Sequence, residues 1–483
     1  MTDEKALRSS LPKAPTGIPG LDEITNGGFP AGRPTLVSGG PGSGKTLLGI
    51  SFLVNGATLY GEPGVLMSFE ENARELAEDV ASLGFDLDGL AARNLLVVDY
   101  VHVERSEIEE TGEYDLEGLF VRLEHAVRSV NAKRVVLDTI ESLFAGLKNE
   151  TVLRAELRRL FRWLRDRGLT AVITAEKGEQ TLTRHGLEEY VTDAVIQLDH
   201  RVHDQISTRR IRVVKYRGSH HGTNEYPFLI DADGVNVLPV TSLLLEHEAP
   251  TERVSSGLAA LDEMLGGQGF YRGSTVLVSG TAGTGKTTLA AQFALAACRR
   301  GERCLYFLFE ESPRQMIRNM RSAGIELEPE VAAGRLQFHA DRPSRHGLET
   351  HLAIMHRAVE SFRPDCVVVD PMTNLLTVGT QIDVRAMLTR MIDFLKMRRI
   401  TALFSSLTDG GTELESTEAM ISSLMDTWIL TSTEEQRRKR QRWIYVLKSR
   451  GMAHSDETRP FRITSRGTEI LLPGAGDPRG EGR

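Results

Sequence analysis

The chain repeats itself, and this limits its fold more than any other feature. GLDEITNGGFPAG near residue 20 returns as ALDEMLGGQGFYRG near residue 260. Lys45 in GGPGSGKT returns as Lys286 in GTAGTGKT, and Glu70-Glu71 in SFEEN as Glu310-Glu311 in LFEES. Asp138 in VVLD returns as Asp370 in VVVD, and Lys215 and Arg217 in KYRGSHH as Lys448 and Arg450 in KSRGMAH. Landmarks kept in order at offsets of 232 to 241 residues describe a duplicated domain. The expected division is 1–245, 246–473 and a disordered glycine-rich tail, 474–483. The 483 residues suit two cores of ordinary size.

Each copy alternates short apolar runs with amphipathic stretches. In the first, Thr35–Ser38, Val65–Phe69, Leu95–Val98, Val135–Asp138 and Ala171–Thr174 read as strands. Leu47–Leu59, Ala73–Leu83, Leu116–Val130 and Arg154–Arg167 read as helices. The alternation predicts an α/β fold, a mainly parallel sheet covered on both faces. Ile211–Lys215 and Trp443–Lys448 add antiparallel hairpins late in each copy.

With 40% hydrophobic and 26% charged residues, the composition is that of a soluble globular chain. A net charge of −8 argues against wholesale nucleic-acid binding. Cys298, Cys304 and Cys366 form no CxxC pair, so neither a zinc site nor a disulfide framework is expected, and Cys366 belongs in or beside a buried strand. No apolar run reaches the roughly 18 residues of a membrane span and no signal core opens the chain, so a cytoplasmic protein is expected.

Gly39–Thr46 and Gly280–Thr287 both fit GxxxxGK[ST], each between an apolar strand and a helix, the context this phosphate loop requires. Backbone N–H groups and the helix N-terminus would cradle the phosphates of ATP. The expected contacts are Gly39, Gly40, Gly42, Ser43, Gly44, Lys45, Thr46 and Leu47, then Gly280, Thr281, Gly283, Thr284, Gly285, Lys286, Thr287 and Thr288. Lys45 and Lys286 would reach the β/γ-phosphates, and the Thr46 and Thr287 hydroxyls Mg2+. Asp138 and Asp370, closing apolar strands, complete the metal set, with Glu310 beside the second. The doublets Glu70-Glu71 and Glu310-Glu311 end the next strand, so at most one member of each faces the γ-phosphate, where a carboxylate polarises an attacking water or hydroxyl. Read blandly, they are acids at a helix start.

Tandem phosphate-loop domains with SFEEN and LFEES, then KYRGSHH and KSRGMAH, resemble the KaiC-like family of RecA-like ATPases from about residue 12 to 473. The resemblance implies an ATP-dependent homo-hexamer with nucleotide at subunit interfaces. It implies Glu70 and Glu310 as catalytic carboxylates assisted by Glu71 and Glu311. It also implies Lys215, Arg217, Lys448 and Arg450 as cations reaching a neighbour's ATP, with Ser219, His221 and His454 as nucleotide contacts. Met452 departs from the hydroxyl residue common at its position, and Arg209 and Arg442 fall where the family often has interface arginines.

In EAMISSLMDTWIL, Ser422 and Ser423 match the family's phosphoacceptors, whereas the first copy has Glu189 and Tyr190 there. The expectation is a first domain that hydrolyses ATP and holds the ring, and a second that is a serine autokinase. Serines at a loop–strand junction are the plain reading. The resemblance leaves room for a KaiB-like partner. The short tail departs from the segment captured by a KaiA-like partner, and the basic run Glu434–Arg442 reads as a hairpin tip. Two rival readings remain: a RecA-type DNA-dependent ATPase, and a scaffold assembled by ATP without kinase activity.

Overall fold

The computed structural model describes residues 11–101, 116–144, 150–178, 181–183, 192–203, 206–231, 234–239, 250–408, 423–436 and 439–471. Two compact units divide the chain, Met1–Ser242 and Leu243–Arg483.

In the first unit the elements run β1 (Pro34–Gly39), α1 (Lys45–Leu59), β2 (Gly64–Ser68), α2 (Ala73–Ala81), β3 (Leu96–Tyr100), α3 (Glu117–Val130), β4 (Arg134–Asp138), α4 (Glu150–Asp166), β5 (Thr170–Glu176), β6 (Ala194–His203), β7 (Ile206–Tyr216), β8 (Glu225–Asp231) and β9 (Gly234–Val237). Their order across the sheet is β9-β8-β7-β6-β1-β5-β4-β2-β3. The six strands from β6 to β3 are parallel, and β7, β8 and β9 add as antiparallel hairpins. The second unit repeats the plan with β10 (Thr275–Gly280), α5 (Lys286–Arg299), β11 (Cys304–Leu308), α6 (Pro313–Ser322), β12 (Leu336–Ala340), α7 (Leu348–Phe362), β13 (Cys366–Asp370), α8 (Gln381–Met397), β14 (Thr401–Leu407), β15 (Thr427–Gln436), β16 (Lys439–Ser449), β17 (Arg459–Thr464) and β18 (Gly467–Ile470). Its order, β18-β17-β16-β15-β10-β14-β13-β11-β12, is the same sheet strand for strand.

The central strands are buried along their length because helices cover both faces, which is why they read as unbroken apolar runs. On one face α1 packs Leu48, Ile50, Phe52 and Leu53 against Val37, Val136 and Ile196. On the other, α3 and α4 bring Leu123, Leu157 and Phe161 to Leu36, Val135 and Ile173. The three cysteines are buried in the second unit without a disulfide, and Cys366 opens β13 beside Cys304 of β11.

One local expectation needs correction. β2 stops at Ser68 and β11 at Leu308, so the glutamate doublets lie in the bends that follow, not on the strands. Those bends lead directly into capping boxes: Asn72 with Glu75 at α2, and Ser312 with Gln315 at α6. A side chain that satisfies the first helical N–H groups ends the extended chain before the carboxylates are reached.

Candidate functional site

The phosphate loops connect β1 to α1 and β10 to α5. Gly44 and Gly285 are the helix N-caps, both in the left-handed region at φ 96° and 95°. A β-carbon on Gly44 would also come within 2.8 Å of Ile230. Glycine at this turn offers no side chain to the first helical N–H groups, and neither helix has a side-chain cap. Those donors suit a phosphate. Lys45 Nζ donates to the carbonyls of Gly39 and Gly40 at 2.9 and 3.1 Å, and Lys286 Nζ to Gly280 and Thr281, both at 2.8 Å. Each ammonium is thus held over its own loop, where phosphate oxygens would compete for its protons. Ser43 Oγ is buried with no hydrogen-bond partner among the described residues, whereas the equivalent Thr284 bonds to Thr281 and Thr431.

Asp138 and Asp370 end β4 and β13 and face the loop threonines. Thr287 Oγ1 lies 3.4 Å from Asp370 Oδ1, and Thr46 hydrogen-bonds Asp138. A hydroxyl and a carboxylate meeting beside a phosphate loop are hard oxygen donors, the chemistry Mg2+ takes. Burial raises both aspartates above the ordinary carboxyl range, and hydrogen bonds from Thr174 and Thr46, or from Ser405, Tyr306 and Thr287, oppose it.

In the second doublet the two carboxylates take different partners. Glu70 accepts from Ser142 Oγ at 2.9 Å and Glu310 from Asn374 Nδ2 at 3.2 Å, both donors following the strand that ends in the aspartate. Glu311 turns the other way, to Asn319 of α6 at 3.1 Å. The Glu71 carboxyl is raised, first by burial and then by Asp79, Asp138 and Glu70. Sequence reasoning missed Ser142, Asn374, Thr174, Ser405 and Tyr306. Thr174 and Ser405 left a signal: a hydroxyl at matching places in two apolar strands.

The basic pairs lie elsewhere. Lys215 sits opposite Val195, and Val195 beside Leu36. At ~3.3 Å per residue and ~4.8 Å per strand, Lys215 is about 10 Å back along the sheet from Gly39 and about 10 Å across it. Arg217 follows beyond the end of β7. Lys448 and Arg450 hold the same places at the end of β16. None of the four can reach the phosphate loop of its own domain. Lys215 Nζ donates to the Thr192 carbonyl at 2.7 Å, and Arg450 to the carbonyl of Ser423 at 2.7 Å. Burial, then Arg450, holds Lys448 below the ordinary lysine range. Ser219 is bound by Lys13 at 2.8 Å, His221 stacks on Tyr216, and His454 Nδ1 is buried with no hydrogen-bond partner among the described residues.

Ser423 is exposed at the same edge of the second sheet, just ahead of β15, and so also far from its own loop. Ser422, Glu189 and Tyr190 lie outside the described residues, as does the tail. The described parts of the basic run, Glu434–Gln436 and Lys439–Arg442, pair across β15 and β16, and Arg442 Nε donates to the Gly283 carbonyl of its own phosphate loop at 3.2 Å. Arg209 pairs with His200 on β6.

The family model "ATPase: KaiC" matches residues 14–242 and again 254–475. The chain is 55% identical to the circadian clock protein KaiC2 of Synechocystis sp., over 98% of this chain and 83% of that one. It is 37% identical to the circadian clock oscillator protein KaiC of Parathermosynechococcus lividus, over 95% of this chain and 85% of that one. It is likewise 37% identical to the circadian clock protein KaiC3 of Synechocystis sp., over 96% of this chain and 92% of that one. Among the described residues no helix is long and apolar enough to cross a membrane. Twin phosphate loops, each with its threonine–aspartate pair and a glutamate doublet, together with a match over both halves, make this chain a tandem RecA-like member of the KaiC family of ATPases.

Proposed function

We propose that the chain hydrolyses ATP at both phosphate loops and that its second domain transfers phosphate to Ser422 and Ser423. The observation that carries this reading is the separation within each domain. The lysine, threonine, aspartate and first glutamate gather at one end of the sheet, and Lys215, Arg217, Lys448 and Arg450 stand at the other. One copy therefore holds half of each site, and a neighbour completes it, which favours a homo-hexameric ring with ATP between subunits. Cations supplied across that interface steady charge on the transferring phosphoryl group.

Mg2+, held by Thr46 and Asp138 or by Thr287 and Asp370 with Glu310 nearby, would neutralise charge on the phosphate oxygens. Glu70 takes the proton of an attacking water in the first domain. In the second, Glu310 takes the proton of the serine hydroxyl; the new Oγ–P bond forms as the bond from γ-phosphorus to the bridging oxygen breaks and ADP leaves. Glu71 and Glu311 orient their neighbours, and Ser219, His221 and His454 contact the nucleotide. Since Ser423 and the cations share the edge remote from their own loop, the donor ATP belongs to the adjacent subunit. Nearly two negative charges added per serine at an interface would change its packing. A phosphorylation-state timer, cytoplasmic and read by a KaiB-like partner, fits relatives named as clock proteins.

Intact-mass spectrometry after incubation with Mg-ATP, under native and denaturing conditions, tests both halves. The expected result is a hexamer with phosphate on the wild type and none on the Ser422→Ala, Ser423→Ala variant. Equal phosphate on that variant ends the acceptor assignment, and full turnover by a monomer ends the shared site.

A further inference from the structure

The N-terminal strand pair of each unit packs against the loop that carries the basic residues, and the two units do this with different chemistry. In the first, Lys13–Ala14 pairs with Phe29–Pro30; in the second, Arg253–Val254 pairs with Phe270–Tyr271, so Lys13 and Arg253 are equivalent. Lys13 Nζ donates to Ser219 Oγ at 2.8 Å and to the Thr25 carbonyl at 3.0 Å, and lies 3.6 Å from the centre of the Tyr216 ring. Tyr216 is fixed from behind, donating to the Gly28 carbonyl at 2.9 Å, and His221 stacks on its ring. Gly222 N donates to Ile24 at 2.8 Å, closing the loop on the same segment. In the second unit Arg253 donates to the Leu265 carbonyl at 2.6 Å and to Met452 Sδ at 3.0 Å, with its guanidinium 4.5 Å from the Tyr271 ring. The hydroxyl at 219 and the thioether at 452 are equivalent positions, and each accepts from the strand's cation. The aromatic partner has moved from the loop (Tyr216, where the second unit has Ser449) to the strand (Tyr271, where the first has Pro30).

We propose that Lys13 is a positioning residue for the first-domain ATPase, fixing the loop that presents Lys215 and Arg217 to a neighbour's nucleotide. The inference rests on the reading that those two cations act across an interface. Ser219 is a strut in this arrangement: its oxygen accepts from Lys13, and its hydroxyl donates to the His220 carbonyl at 2.9 Å. Among the described residues no side-chain hydrogen bond holds Arg217, and its backbone N–H bonds the Asp193 carbonyl at 2.9 Å. Loosening the loop therefore displaces the guanidinium, and small displacements of a positioned charge are costly in rate. A lysine here also brings sensitivity to pH that an arginine does not. Burial draws the Lys13 ammonium down to about 8, and among the described residues no carboxylate stands within 4 Å to oppose it. The other groups facing it are Tyr216, kept protonated above its ordinary range by burial, the Arg33 charge beside that ring, and His221. Below about pH 8 the charged clamp is closed, and above it the cation–π contact and the charge-assisted bonds are lost.

The test uses the full chain carrying Glu310→Gln and Glu311→Gln, so that ATP turnover reports the first domain. Lys13→Met should lower kcat about tenfold with KM little changed, while assembly and melting stay as in the parent. The parent's turnover should fall between pH 7 and 9, and Lys13→Arg should keep the turnover and abolish that fall. If Lys13→Met does not fold, the pH profile of Lys13→Arg carries the test. Unchanged kcat in Lys13→Met, or the same alkaline fall in Lys13→Arg, overturns the proposal. Full turnover in Arg217→Ala instead overturns the interface reading on which it rests.

Discussion

At the foot of the strand that ends in the aspartate, the two units put opposite chemistry in the same place. The first begins β4 with Arg134, a fully buried arginine; the second begins β13 with Cys366. Arg134 donates to Glu62, to the Phe52 carbonyl and to the Pro15 carbonyl at 2.6 to 2.9 Å, and lies over the Phe52 and Tyr60 rings. Room for it comes from Gly56 in α1, where a β-carbon would sit 2.4 Å from the arginine side chain. In the second unit Ala297 occupies that helix position, and Cys366 packs with Cys304 and Cys298 in an apolar cluster. The sheet order is unchanged. A buried charge is tolerated where every donor finds an acceptor, and a small apolar group does as well where none is offered.

The comparison can be broken in order of effect. Lys45→Ala and Lys286→Ala should each lower ATP turnover of their own domain by about 10²–10³-fold, because each removes a charge aimed at the phosphates. Phosphate on the serines should vanish only in Lys286→Ala, which intact mass reads directly. Next, Arg134→Met should destabilise the first unit by about 3–4 kcal/mol, since Glu62 and two carbonyls lose their donor. Cys366→Ala should cost the second unit only about 1 kcal/mol. Denaturant melts of each variant compare the two.

The two proposed metal sites differ in one donor. Tyr306 donates to Asp370 at 2.8 Å, and the first unit has Leu66 on that strand instead. Tyr306→Phe should cost about 1–2 kcal/mol of stability and weaken Mg2+ in the second site alone, measured by titration. The smallest effect is on pH. A protonated carboxyl cannot hold the cation, and burial raises Asp138 and Asp370. Mg2+ affinity at both sites should therefore fall on acidification while the pH is still above the ordinary carboxyl range near ~4. Constant affinity down to that range would contradict the burial argument.

Much of this was legible in the chain. Alternating apolar runs predicted the parallel sheet, and Ile211–Lys215 and Trp443–Lys448 predicted its antiparallel edge. The doublets were set at the strand ends but lie in the bends beyond them, because the chain leaves the ladder after Ser68 and Leu308 to enter the helices capped at Asn72 and Ser312. Ser142 and Asn374 had no signal, since a polar residue on the short helical turn after a strand, Ile140–Phe144 or Met372–Thr377, acquires meaning only from the glutamate it meets.

By itself the sequence determined the duplication and the two phosphate-loop motifs, because strand period and loop chemistry are local properties of neighbouring residues. Only the tertiary structure decided which of the charged groups share an end of the sheet. That depends on strand order and direction: β7 runs antiparallel to its neighbour, and so carries Lys215 and Arg217 away from the phosphate loop of their own domain.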